Sequence, residues 1–116
     1  MVNRAALILK LKKPFVQWIN ETKPDKKSPE VTAAEVNRER TVYLLNDLDA
    51  DGLDEWIALN CANLFASELE DWCEDEALWP QNRDMKLFKK WFSPECHPVL
   101  IDAGVGPIVD DETPLQ

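Results

Sequence analysis

Several things are scarce in this chain, and each scarcity closes off a class of chemistry. Glycine occurs three times in 116 residues, as Gly52, Gly104 and Gly106. A phosphate-cradling loop needs a glycine-rich turn that runs into a helix, and no helical pattern follows Gly104-Val105-Gly106-Pro107. Histidine occurs once, as His97 beside Cys96. Neighbours on an extended strand point to opposite faces, so this pair is a poor nucleophile–base dyad. Cys61, Cys73 and Cys96 are odd in number and lack CxxC spacing, which fits reduced thiols in the cytosol and supports no metal site. No apolar run nears the roughly 20 residues that span a membrane. The AALIL stretch at 5–9 is too short for a signal peptide's apolar region, and no small-residue cleavage site follows it. A cytoplasmic protein without metal or cofactor is expected.

Positive charge is missing from the middle of the chain. From Thr41 to Asn82 there are eleven acidic residues and no Lys or Arg. Residues 1–40 carry nine basic residues against five acidic ones, and 41–116 carry four against seventeen. Nucleic-acid binding needs Lys and Arg to neutralise phosphate, so it is not expected here. Lys10, Lys12 and Lys13 are too few for a groove. The asymmetry serves solubility and pairing between halves, or it presents an acidic face to a basic partner.

What is present reads as a mixed α/β chain, 45% hydrophobic and 30% charged. In RAALILKLKK, Leu9 and Leu11 alternate with Lys10 and Lys12, which predicts a strand with a half-exposed far end. Pro14 suits the start of a helix over 14–21, with Phe15, Trp18 and Ile19 on one face. Pro24 and Pro29 mark a loop, followed by one helical turn at 32–37 capped by Thr32 with Glu35. TVYLLN at 41–46 reads as a central, buried strand. Leu53, Trp56, Ile57, Cys61, Leu64, Phe65, Leu69 and Trp72 recur at helical spacing, giving a helix over 53–73. A further helix at 83–92 is expected to stop before Pro94. Strands are expected at 98–103 and, at an edge, at 107–109.

The order β-α-β-α-α-β predicts an α+β fold, a small two-layer sandwich with helices on one face of a three- to four-stranded sheet. The first two strands could be joined by a right-handed parallel crossover. Residues 1–109 would form one globular domain, with 110–116 a disordered acidic tail.

The stretch NDLDADGLDEW at 46–56 places Asp47, Asp49, Asp51 and Gly52 as an EF-hand calcium loop would. Counted from Asp47, Glu55 fits position 9. Asp54 stands where an apolar residue belongs, and Ala58 replaces the bidentate Glu of position 12. A strand precedes the run where a helix is needed. A turn into a helix explains the same residues, with Asp51 as the cap and Asp54 three residues on.

Five tryptophans are present, and Trp72, Trp79 and Trp91 fall within twenty positions. Trp72, Trp91 and Phe92 could be core, with Arg83 paired to Glu74–Glu76. Alternatively, Trp79 on a loop beside Pro80 is poorly placed for a core and suits a partner. Trp79, Arg83 and Trp91 would then anchor a complex, since Trp and Arg carry much of interface energy. Asp71, Glu74, Asp75 and Glu76 would supply an acidic face for a basic protein. The competing expectation is a phosphate- or carboxylate-binding protein or enzyme using Arg38, Arg40, Arg83 and His97.

The segments LKLKKPFVQWIN, TAAEVNRERTVYLLND, EDEALWPQNRDMKLFKKWF and HPVLIDAG together resemble a family of small uncharacterised bacterial cytosolic proteins. The likeness runs to about Asp102. Its most specific part is LWPxxRDxxLFxxWF at 78–92. The resemblance implies a compact bacterial α/β domain and carries no assigned reaction, cofactor or catalytic residue.

Overall fold

The structure, a computed structural model, describes residues 1–110. Of the tail expected over 110–116, residues 111–116 lie outside the described residues. Strands β1 (Arg4–Leu11), β2 (Val42–Asn46) and β3 (Phe92–His97) form one sheet in the order β2-β1-β3. Helices α1 (Lys13–Thr22), α2 (Ala33–Val36), α3 (Leu53–Glu70) and α4 (Met85–Trp91) complete the fold. The class is the expected α+β, in the expected element order.

The alternation in β1 is real. Ala5, Leu7, Leu9 and Leu11 are buried, and Lys10 on the other face is exposed. Leu7, Leu9 and Leu11 belong to one apolar cluster with Phe15 and Ile19 of α1, Ile57, Leu64 and Phe65 of α3, and Phe88 of α4. The helices therefore cover one side of the sheet. At its centre Phe65 meets Phe92, Trp91 and Phe88 with ring centroids 5.0, 5.4 and 6.2 Å apart, and Phe15 meets Phe92 at 5.3 Å. Tilted and edge-on pairs at these distances suit the aromatic quadrupole. Trp91 is packed against this cluster, among Phe15, Trp18 and Phe65, rather than offered to a partner.

Four strand expectations are corrected. β1 and β2 pair antiparallel, with Leu7 opposite Tyr43, so they are not joined by a parallel crossover. β2 is an edge strand, not a central one. Leu45 is its one fully buried residue, while Val42 and Leu44 are 50% and 54% exposed. A continuous apolar run signals burial when both sheet faces are covered, as in parallel sheets. This sheet is antiparallel and covered once, so alternate residues of β2 face out.

The last strand lies at 92–97, not 98–103. Trp91 ends α4 and Phe92 is already extended (φ −130°, ψ 147°), so helix passes into strand without a loop. Pro94 sits within this edge strand, where a missing N–H is tolerated. Pro98 cannot donate to the ladder, which stops at His97. Beyond it, Val2 N–H still donates to Leu100 O at 2.8 Å. Residues 107–109 are irregular and exposed rather than an edge strand.

The helices follow their local signals closely. Thr32 Oγ1 accepts from Glu35 N–H at 3.2 Å and lies 3.1 Å from Glu35 Oε1, the expected cap. The Asp-rich run folds as a short 3-10 turn over Asp47–Ala50. Gly52 rather than Asp51 takes the N-cap position of α3, with no side-chain cap. α4 starts two residues later than expected, because Asp84 Oδ1 accepts from Leu87 N–H at 2.9 Å. Asp84→Ala should cost about 1 kcal/mol through loss of this cap. Urea unfolding would show it, and an unmoved midpoint would mean the cap contributes nothing.

Candidate functional site

The C-terminal end of α3 is where the conspicuous side chains gather. The helix stops at Glu70, three residues short of the expected end, and Asp71 to Cys73 turn away from it. The chain then makes a 3-10 turn at Glu76–Leu78, whose start is capped by Asp75 Oδ1 accepting from Ala77 N–H at 3.1 Å. The backbone is held down from inside. Trp18 Nε1–H of α1 donates to Leu78 O at 2.9 Å, and Trp79 Nε1–H donates to Cys73 O at 2.7 Å.

This bonding exchanges the expected roles of two tryptophans. Trp79 is a core residue, 8% exposed, and is no docking anchor. Its ring folds back because its one N–H finds a carbonyl six residues earlier. Trp72, placed in the core by helical spacing, is 40% exposed because the helix has ended before it. Arg83 lies 5.8 Å from the Trp79 ring centroid and donates through Nη1 to Pro80 O at 2.9 Å. It pairs with none of Glu74–Glu76. The one ion pair among the described residues is His97–Glu95, at 3.0 Å.

Two concavities flank this turn. One, of about 440 Å³, is lined by Glu70, Glu74, Asp75, Glu76, Ala77 and Trp79. Of the expected acidic face, Glu74–Glu76 fall here and are exposed. Leu78 beside them is 48% exposed. Asp71 faces the other concavity.

That second cleft, of about 380 Å³, lies between α3 and the connection from α2 to β2. Leu9, Leu11 and Val36, all buried, form its apolar base. Glu68, Asp71 and Trp72 line one side, and Glu35, Arg38, Glu39 and Arg40 the other. Arg38 and Arg40 thus share a site, as the ligand-binding expectation required. Arg83 and His97 are not part of it. His97 stands on the uncovered sheet face opposite Ala6, and Cys96 opposite Leu7 on the covered one. Burial raises the Cys96 thiol, which works against a thiolate there. Among the described residues no three His, Cys, Asp or Glu are grouped to hold a metal ion.

Glu68 is the residue that pattern reading missed. It is 7% exposed, the sole charged residue in the buried set among the described residues. Tyr43 Oη of β2 donates to its Oε2 at 3.1 Å and also lies 3.2 Å from Ser67 Oγ. Burial pushes the Glu68 carboxyl up to about 7; the Tyr43 bond opposes the rise and the Asp71 charge adds to it. Burial likewise pushes Tyr43 up to about 12. A signal did exist in the sequence. Glu68 is i+4 from Leu64 and i+3 from Phe65, in phase with the apolar stripe of α3.

No protein-family model, curated protein or solved structure matches the chain. No helix among the described residues is long and apolar enough to cross a membrane.

Proposed function

We propose that this protein is a non-enzymatic, cytoplasmic interaction module that binds a basic segment of another bacterial protein across the C-terminal end of α3. The observation that carries this reading is the exposed Trp72 at the wall of a cleft with four acidic residues and two arginines, close in sequence to a second concavity lined by Glu70, Glu74, Asp75 and Glu76. An exposed indole supplies apolar contact, and the surrounding carboxylates steer a cationic partner. Trp72 takes over the anchoring role expected of Trp79, Arg83 and Trp91. A phosphate or carboxylate ligand is less well served, since the cleft holding Arg38 and Arg40 has four acidic residues.

Capture from host-cell lysate would test the proposal. Wild type should retain a stoichiometric partner at low salt and release it near about 0.5 M salt, where charges are screened within a few ångströms. Trp72→Ala and the triple variant Glu74→Lys, Asp75→Lys, Glu76→Lys should each weaken capture about tenfold or more. A partner kept by both variants, or no partner at any salt, would overturn the reading.

A further inference from the structure

We infer that the cleft over Glu68 receives one guanidinium or ammonium group from the partner's basic segment, an inference that rests on the function proposed above. The cleft differs from a solvated acidic patch in having a built interior. Its base is apolar, and Glu68 within it is 7% exposed. Oε2 is engaged by Tyr43, whereas Oε1 makes no hydrogen bond among the described residues and is not sealed from solvent, so a ligand can reach it. A buried carboxylate wants a charged or strongly donating partner, and no cation among the described residues lies within ion-pair distance of it. Trp72 offers a partly exposed aromatic ring at the same wall, against which a cation is attracted by the ring quadrupole.

Charge sign decides what enters. The titratable and charged groups facing Glu68 are Tyr43 from β2, Asp71 from the end of α3, and Glu35, Arg38, Glu39 and Arg40 from α2 and its connection to β2. Carboxylates outnumber arginines two to one, and the innermost polar group is an acid. An anion would meet Glu68 and Asp71, whereas a cation meets both favourably. Near neutral pH part of the Glu68 population keeps its proton, since burial pushes it up to about 7. A cation that binds the carboxylate must therefore expel the remaining proton to solvent. A neutral carboxyl and an entering cation give a carboxylate–cation pair and one free proton, so charge and atoms balance.

The test uses agmatine, which carries a guanidinium and an ammonium group at the two ends of a short aliphatic arm, titrated calorimetrically into the full chain at pH 7. Buffers of high and low ionisation enthalpy report proton release. A Kd on the order of 1 mM is expected for so small a cation, with net release of a fraction of a proton per agmatine bound. Glu68→Gln keeps the shape and a Tyr43 acceptor, and should weaken agmatine about tenfold and abolish the proton release. The same variant should weaken capture of the lysate partner. Unchanged agmatine affinity in Glu68→Gln, or inorganic phosphate binding where agmatine does not, would overturn the inference. Partner capture that ignores Glu68→Gln would remove the partner's side chain as the occupant, yet leave the interaction module standing. Loss of capture by Trp72→Ala and the triple lysine variant bears on the module alone.

Discussion

Trp79→Ala should destabilise the fold by about 3–5 kcal/mol, the usual cost of deleting a large buried aromatic. That is a large share of the roughly 5–15 kcal/mol by which domains are stable. The indole is 8% exposed, lies beneath the Arg83 guanidinium and donates to Cys73 O. Its removal leaves a void under the turn at 73–79 and takes away the tie that closes it. Trp79→Phe should cost less, about 1–2 kcal/mol, since most of the volume stays and one hydrogen bond goes. Urea unfolding of both variants would check the pair. A Trp79→Ala protein as stable as wild type would return Trp79 to the surface. Binding losses in Trp79 variants therefore report unfolding first, and Trp72 is the informative position for docking.

The second large effect concerns Glu68 and pH. Its folded value is raised to about 7 from the ordinary 4.5 by burial. Between these values the folded chain holds a proton that the unfolded chain releases. Stability from this group is therefore full below about 4.5 and is lost as pH rises through about 7. The size is up to about 3 kcal/mol, because each tenfold change in an acid's ionisation constant is worth about 1.36 kcal/mol. Glu68→Gln cannot ionise, so its stability lacks this fall. Relative to wild type, the variant should gain about 2–3 kcal/mol between pH 5 and pH 8. Comparing the two removes the background titration of the other carboxylates. Parallel pH profiles would mean that water reaches Glu68 and its carboxyl ionises ordinarily.

The proposed docking and this titration meet at one helix end. Glu68 faces the cleft and Trp72 stands at its wall, while Glu74–Glu76 line the other side. A cation in the cleft would give a buried carboxylate the charged partner it lacks, so binding and stability are linked through one proton. The module would then bind more tightly as pH rises from 6 to 8, opposite to the trend of its own stability. The calorimetric titration repeated across that range reads the sign directly.

Local signals were legible because they act within one or two turns. Pro14, the Thr32–Glu35 cap, and the stripe from Leu53 to Leu69 each specify geometry through near neighbours. The Leu/Lys alternation of β1 was equally readable, since the pleat fixes side-chain direction. Local patterns misled wherever the outcome depended on what lies across from a segment. TVYLLN has the composition of a central strand, yet β2 lies at an edge, with β1 on one side only. HPVLIDAG looks like a strand, but the ladder with β1 closes at its first residue, His97. Trp72 and Trp79 traded places because helix α3 ends at Glu70, and because the Trp79 N–H has a carbonyl to reach.

Periodicity, propensity and composition suffice for the α+β class, the element order, the Thr32 cap and the concentration of negative charge in residues 41–82. These are properties of the chain and need no distant partner. Folding was required to settle which tryptophan is exposed, which arginines share a cleft, and that Glu68 is buried against Tyr43. Those outcomes depend on burial and on partners distant in sequence: Tyr43 is 25 residues from Glu68, and Trp18 is 60 from Leu78. A carboxyl's charge and an indole's role are set by what surrounds them, and only the folded chain supplies those surroundings.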